Sequence, residues 1–394
     1  MIGNPFTYSA FDLTTAAALD ALPYQGVSFG RIMNQPGPFT GTLPITDERV
    51  QSFDWQDATR PGRTALFVDY LGALVWGGII WTRGYQKTKP VLPIGAMEFG
   101  SYFQHRLQAF DYSTTFAAGA DPMTVAQTVL TDAMAKGTVL GGITLTLNPA
   151  GGEGGNQVAP SYPGTSLQTI DSICQTLSQM GYTFGFDYSF DVAYLPGTKT
   201  PGITLNIWYP RMGLTADRTQ IVVMVRDTLD YGYPEDATQQ ADSVTETGSG
   251  TGGVQPAVAT ASIAGYPLLE RTFSRTFATD EGTLSDITLG DLGLYCYPPV
   301  NAWVLLPLPL PDQGGSIDPG RLTFGQFNLG DDFIFRIDPV AVSENSDPRF
   351  PNGMSFEFQT QRWTCQVGDQ GVSTLRLDAG VPPLNTIPPP APPG

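Results

Sequence analysis

The sequence predicts a mainly β protein with a few short helices, a β-rich α+β class. Three observations lead there. Glycine (45) and proline (34) are abundant and spread along the 394 residues, which favours many short strands joined by turns over long helices. Apolar residues recur at every second position in several segments, the pattern of a half-buried strand. Helical spacing is confined to a few stretches bounded by capping residues.

The length corresponds to two or three domains at about 150 residues each. Such a chain buries a sizeable core without a disulfide scaffold. Hydrophobic residues make up 41% and charged residues only 14%, so the chain is not a disordered polyelectrolyte.

Residues 26–95 read as β-structure. Leu66, Val68 and Tyr70 alternate with Ala65, Phe67 and Asp69, and Leu71-Gly72-Ala73 makes a hairpin tip. The run 74–81 is apolar on both faces, as expected of a central strand buried on two sides. Its Gly77 and Gly78 mark a bulge or a close backbone approach. Met97, Phe99, Tyr102, Phe103 and Leu107 then fit a short helix. Asp121-Pro122 is a strong helix start, with an N-cap carboxylate followed by proline at the first helical position. That helix continues through Val125, Val129, Leu130 and Met134 and stops near Gly137. Ser166 is expected to open another helix, with Leu167, Ile170, Ile173, Cys174, Leu177 and Met180 at helical spacing and Gly181 as its C-terminal cap. The glycine- and proline-rich stretch 148–163 is a long loop.

Strands resume at 182–186 and 192–195. In 203–207 the apolar positions are strictly alternate, and 221–225 is a continuous apolar run. Residues 239–253 are polar and end in glycines. A short helix is expected around 287–295 and a strand through 304–308. Phe333, Phe335 and Ile337, then Met354, Phe356 and Phe358, alternate cleanly, and Leu375 and Leu377 close the set. The resulting division is 1–96 as a first β domain, 97–181 as a helical and loop insertion, and 182–240 as a β segment returning to the first half. Residues 241–253 are a linker, 254–380 a second barrel-like β domain, and 381–394 an extended tail. That tail holds seven prolines, favours polyproline II geometry and is expected to dock, most simply on another chain.

Lys and Arg total 20 against 37 Asp and Glu, a net charge of −17. Nucleic-acid binding gains free energy by releasing counterions through basic contacts, and an acidic chain without a basic cluster is badly suited to it. An acidic surface repels DNA instead. Residues 1–6 lack a basic region and a following apolar core, so no secretory leader is expected. No apolar run approaches the roughly 20 residues of a membrane span.

The candidates for chemistry are few. Cys174, Cys296 and Cys365 are far apart and form no metal-ligand spacing, so they read as buried small hydrophobes; a disulfide between two of them stays open. Gly248, Gly250 and Gly253 match a dinucleotide-binding spacing, but Pro256 and a strand-like run follow where that motif requires a helix. His105 is the only histidine and lies on an aromatic helix, which favours a packing role over a catalytic one. Asp331 and Asp332 are adjacent at a strand start, so their side chains point to opposite faces and suit a charged turn better than a catalytic pair; Asp47-Glu48 reads the same way. Trp76, Trp81, Trp208 and Trp303 lie in or beside strands, where core or subunit interface is the commoner role than a sugar-stacking row. No catalytic, cofactor or metal site is therefore expected.

Several collinear pieces carry a resemblance. They are 39–44 (FTGTLP), 61–64 (PGRT), 75–83 (VWGGIIWTR), Glu98-Phe99, 101–103 (SYF) and His105-Arg106, then 208–211 (WYPR), 241–244 (ADSV), 265–270 (GYPLLE) and 329–332 (LGDD). Together they resemble the minor tail proteins of siphophages that infect actinobacteria, over residues 25–378. That family is similar to the tail hub proteins, including the baseplate hub of phage T4 and the hub part of type VI secretion spikes. The resemblance implies two barrel-like domains related to the tail-tube fold, with smaller domains inserted. It implies a homotrimer whose six tube-like units match a sixfold tail above and threefold fibres below. Implied partners are the distal tail protein, the tape measure protein and other minor tail or fibre proteins. DNA would be met only in transit, with no stable membrane association, and the protein, made in the host cytoplasm, would reside in the virion tail tip. No catalytic motif, cofactor or metal comes with the family. The loop 148–163 and the proline tail depart from its pattern. A host-wall glycan-binding module and a cell-wall hydrolase with two carboxylates are the competing functional classes.

Overall fold

The computed structural model describes residues 4–148, 158, 160–179, 185–219, 221–248, 255–261, 265–275, 281–297, 301–308, 322–341, 343–368 and 373–380. The first half contains β1 (Phe6–Asp12), β2 (Ala18–Ala21), β3 (Gln25–Ile32) and β4 (Pro38–Leu43). Two single-turn helices follow, α1 (Glu48–Gln51) and α2 (Trp55–Ala58), and then β5 (Thr64–Tyr70), β6 (Ala73–Arg83) and β7 (Leu92–Glu98). A 3-10 helix, Phe99–His105, leads to α3 (Pro122–Ala135), β8 (Ile143–Asn148), α4 (Ile170–Ser178), β9 (Asp187–Tyr194) and β10 (Pro201–Trp208). Next come α5 (Ala216–Thr219), β11 (Val222–Met224), β12 (Asp230–Gly232), β13 (Ser243–Thr247), β14 (Ala257–Thr260), β15 (Glu270–Ser274) and α6 (Glu281–Tyr295). The chain closes with β16 (Trp303–Leu308), β17 (Asp332–Ile337), β18 (Met354–Gln366) and β19 (Ser373–Gly380).

Thirteen strands share one sheet in the order β12-β16-β19-β18-β3-β4-β7-β6-β5-β1-β2, with β17 and then β11 branching from β18. This sheet is curled twice. In the N-terminal part, β4 and β1 lie four strands apart, about 19 Å in a flat sheet. Yet the rings of Tyr8 on β1 and Phe39 on β4 meet at 6.2 Å, so the inner faces close on each other. The C-terminal part repeats the device. β12 and β17 are also four strands apart, and Tyr231 reaches Phe335 at 5.0 Å. The two curls, each barrel-like, are joined where the second half of β18 pairs with β3, Arg362↔Ile32 through Gln366↔Ser28. Phe29, Phe324 and Trp363 pack together at that junction and make the two interiors one core.

The two-sided apolar runs have a direct cause. Every residue of β5 is buried. Leu66, Val68 and Tyr70 point into the first curl, while Ala65 and Phe67 join a second core formed with the inserted elements. β6 is central between β5 and β7, and a Cβ on its Gly77 would stand 2.8 Å from both Phe67 and Val192. The glycine is thus required for the close approach of β9. The hairpin tip is formed by Leu71 and Gly72 at φ 54° and 92°.

The inserted unit is a three-stranded sheet, β8-β10-β9, covered by α3 and α4. β10 alternates buried and half-buried residues throughout, as its sequence predicts. Asp121 caps α3 by accepting from the N–H groups of Met123 and Thr124. A third sheet, β14-β13-β15, packs on α6. Among the described residues, no helix is long and apolar enough to cross a membrane.

Several expectations are corrected. The segment 241–253 is not simply a linker: Ser243–Thr247 is the central strand of the third sheet. Its polar sequence misleads because it buries Glu246 in an ion cluster. The segment 182–240 divides rather than returning to the first half; β9 and β10 join the inserted sheet, whereas β11 and β12 pair with β17 and β16 of the C-terminal curl. The start of 254–380 likewise builds the third sheet and α6 before the second curl begins. The helix expected from Ser166 begins at Ile170 with Thr169 as N-cap, because Leu167 takes a left-handed φ of 47°. The helix expected over 97–107 is the 3-10 helix Phe99–His105. Gly181, most of the loop 148–163 and the tail 381–394 lie outside the described residues.

Candidate functional site

A cleft of about 460 Å³ opens among the described residues where the three sheets converge. β15 supplies Phe273, and Arg275 follows directly after it. α6 supplies Asp291 and Tyr295, the inserted unit Phe186 and Asp187, and β18 Gln359 and Gln361. Arg211 enters from the connection after β10.

Strand alternation places Arg271, Phe273 and Arg275 on one face. Phe273 stacks on Tyr295, ring centroids 5.4 Å apart at 28°. The Arg271 guanidinium lies 4.5 Å from the Tyr295 ring and 4.7 Å from that of Phe273. Behind this aromatic wall, the Arg275 Nε donates to Glu246 at 3.2 Å and its Nη2 donates to Asp291. Glu246 has no exposed surface, and its second oxygen receives no donor. Burial foremost, and then the neighbouring Asp291 carboxyl, push the Glu246 carboxyl up to about 8, against the pull of Arg275. The raised value favours the protonated form of Glu246 at neutral pH.

The remaining charges on the wall are also matched. Arg211 donates to Asp332 and to the carbonyl of Gly330. Asp187 accepts from Asn34 Nδ2 at 2.9 Å and from the Met212 N–H at 2.9 Å. Further along the same seam, Arg31 of β3 donates to Glu98 at 2.9 Å and to Asp191 of β9 at 2.7 Å, tying the first curl to the inserted unit. Chemically, the cleft is an aromatic, hydrogen-bonding groove with self-neutralised charge. Glu246 and Asp291 do converge, but Arg275 bridges them and Glu246 is sealed from any substrate.

The residues singled out in the sequence fall elsewhere. Asp331 and Asp332 point to different partners, as strand geometry requires. Asp331 accepts from the Leu214 and Asn328 N–H groups, and Asp332 accepts from Arg211. Asp47 caps α1 and pairs with Arg49 at the surface. His105 is exposed, and its ring lies tilted against that of Trp81, centroids 4.5 Å apart. Trp76 is fully buried and donates to the carbonyl of Gly30, while Trp81, Trp208 and Trp303 are half-buried, so the four form no open stacking row. Cys174, Cys296 and Cys365 are buried free thiols; burial raises the Cys174 thiol to about 12. Gly248 follows β13, and Gly250 and Gly253 lie outside the described residues. Among the described residues, no cluster of His, Cys, Asp and Glu is arranged to hold a metal ion. Glu246, Arg275, Asp291 and Tyr295 escape sequence reasoning because their partners are up to dozens of residues apart. The one local signal is the Arg-x-Phe-x-Arg alternation at 271–275.

No family model and no curated protein matches the chain. Solved structures do match it end to end. A tail protein from Neisseria meningitidis MC58 aligns at a TM-score of 0.57 with 11% identity, over 95% of this chain and 96% of that one. Prophage tail protein gp18 from Listeria monocytogenes EGD-e aligns at 0.56 with 12% identity, over 94% of each chain. The 43 kDa tail protein of prophage MuSo2 from Shewanella oneidensis aligns at 0.58 with 13% identity, over 97% of each. The chain shares its fold with these tail proteins, in agreement with the resemblance carried by its sequence.

Proposed function

We propose that this chain is a structural subunit of a phage tail, placed at the tail tip as a hub. One observation carries the reading: both curls, the inserted unit and the third sheet match tail proteins together, over 94 to 97% of the chain. A likeness that spans every unit supports a shared architecture rather than one borrowed module. In this role three copies form a ring, and the two curls of each copy present six similar units to the tube above. The ring joins the distal tail protein to the central fibre and lines or closes the DNA channel. A net charge of −17 suits such a bore, because like-charge repulsion lets DNA slide without sticking. The paired carboxylates of the cleft and the buried or half-buried tryptophans give neither a hydrolase nor a glycan-stacking reading a specific footing.

Immunogold electron microscopy of virions with antibody raised against the purified chain tests the placement. Gold at the distal end of the tail is expected. Gold on the capsid or along the tail shaft, or unlabelled virions, rejects it.

A further inference from the structure

The hairpin that joins β6 to β7 reaches out from the first curl. Its ladder ends at Arg83↔Ile94, and the Gly84 N–H donates to the Pro93 carbonyl at 3.0 Å. Residues 82–90 are all exposed, and a Cβ on Gly84 would meet open space. Beyond the ladder, the Lys89 N–H donates to the Gln86 carbonyl at 3.0 Å, so a turn holds Lys87 and Lys89 at the tip. Four extended residues on each side of such a tip reach up to about 13 Å, beyond the roughly 8 Å screening length at 0.15 M salt.

The charge of this tip opposes that of the chain. Between residues 70 and 110 stand Arg83, Lys87, Lys89 and Arg106 against a single carboxylate, Glu98, in a chain of net charge −17. Glu98 is buried and taken by Arg31. Of the four lysines, Lys136 donates to the Ala109 carbonyl and Lys199 lies 4.5 Å from the Tyr194 ring. The Lys87 and Lys89 ammoniums have no partner among the described residues. Beside them Tyr85 is 67% exposed, an aromatic of the kind enriched at protein interfaces.

Two ammoniums are too few to hold a polyanion against a body of this charge, because nucleic acids and anionic membranes are gripped by clusters of basic residues. Discrete carboxylates on a protein surface ask for no more than two. A second copy supplies them, since each chain has 37 carboxylates against 20 cations. Contact pairs form well inside the screening length, whereas repulsion between whole copies acts across it. Salt therefore relieves the repulsion before it dissolves the contact.

We propose that the β6–β7 tip, through Lys87, Lys89 and Tyr85, docks on carboxylates of a second copy and sets the register between neighbouring copies. The tip and the surface it meets are different, a head-to-tail contact of the kind that closes rings. The inference rests on the three-copy reading and deepens it by naming one side of the contact.

Unlabelled and heavy-nitrogen chains, mixed at low salt and brought to physiological salt, test it. A carbodiimide then joins each amine to a carboxylate in contact with it, and mass spectrometry reads the products, with light scattering on the same sample. Expected are peptides in which Lys87 or Lys89 of one isotope is joined to an Asp or Glu of the other, and these identify the receiving carboxylates. The variant Lys87→Glu/Lys89→Glu changes only exposed side chains and should weaken assembly ~10-fold or more, whereas Lys87→Arg/Lys89→Arg should retain it. Rings in which Lys87 and Lys89 join only carboxylates of their own chain, or none, overturn the proposal and leave the three-copy reading standing. A mass that stays at that of one chain overturns the proposal together with unaided ring formation.

Discussion

Burying a carboxyl beside a second carboxylate, with one guanidinium between them, leaves a proton to be shared. Glu246 is in that position, and its protonated form is the one the fold accepts. Its folded-state value of about 8 lies above its ordinary 4.5. The stabilisation is therefore fully present below about 4.5, declines as pH rises, and is gone above about 8. Glu246→Gln keeps a carbonyl to accept from Arg275 but cannot ionise. The variant should lose this part of the pH dependence, at most about 1.4 kcal/mol per pH unit. Denaturant unfolding between pH 5 and 8 (about the span of the shift) measures it. Equal slopes for both proteins would show that Glu246 is already ionised. Single residues also mark the limit of reading a sequence. That Asp331 and Asp332 diverge follows from strand alternation alone, whereas their partners Leu214 and Arg211 lie more than a hundred residues away and leave no local trace.

Elements were legible where their signals are local. The α3 start at Asp121-Pro122, the hairpin tip at Leu71-Gly72 and the alternation of β10 and β17 all rest on chemistry within a few residues. β13 was not, because a polar strand whose buried positions include Ser243 and Glu246 looks like a linker until Arg275 and α6 cover it. Nor was the use of β18, whose first part pairs with β17 and whose second part pairs with β3. Gly30 is the pivot of that second pairing. A Cβ there would stand 2.3 Å from the Trp363 carbonyl oxygen, and Trp76 donates to the carbonyl of Gly30 itself. Gly30→Val should force β3 and β18 apart and cost about 1–3 kcal/mol or more. Tryptophan fluorescence in denaturant should then show an earlier transition, broadened as the two curls uncouple. Gly84→Ala, with open space around it, serves as control and should stay within about 0.5 kcal/mol. Equal midpoints for the two variants would mean that the junction is not under close packing.

At the scale of the molecule, the alternating strands announced two β-rich halves, but not that one sheet runs through both. Pairing between residues more than 300 positions apart, as in Ile32↔Arg362, has no signature in composition or period. Net charge, by contrast, is a whole-molecule property that needs no structure, and it bears on assembly. Each chain carries −17, so copies brought into a ring repel one another over the screening length. That length is about 30 Å at 0.01 M salt and about 8 Å at 0.15 M. Ring formation driven by apolar faces and opposed by this repulsion should strengthen as salt rises, whereas an assembly held by ion pairs between copies should weaken. Light scattering of the purified chain over that range of salt separates the cases. The hub reading expects a mass that climbs from 42.3 kDa toward three times that value with added salt. Chains that remain single at every salt concentration, even at high protein concentration, would count against self-assembly as the source of the ring, and the partner proteins of the tail would then have to impose it.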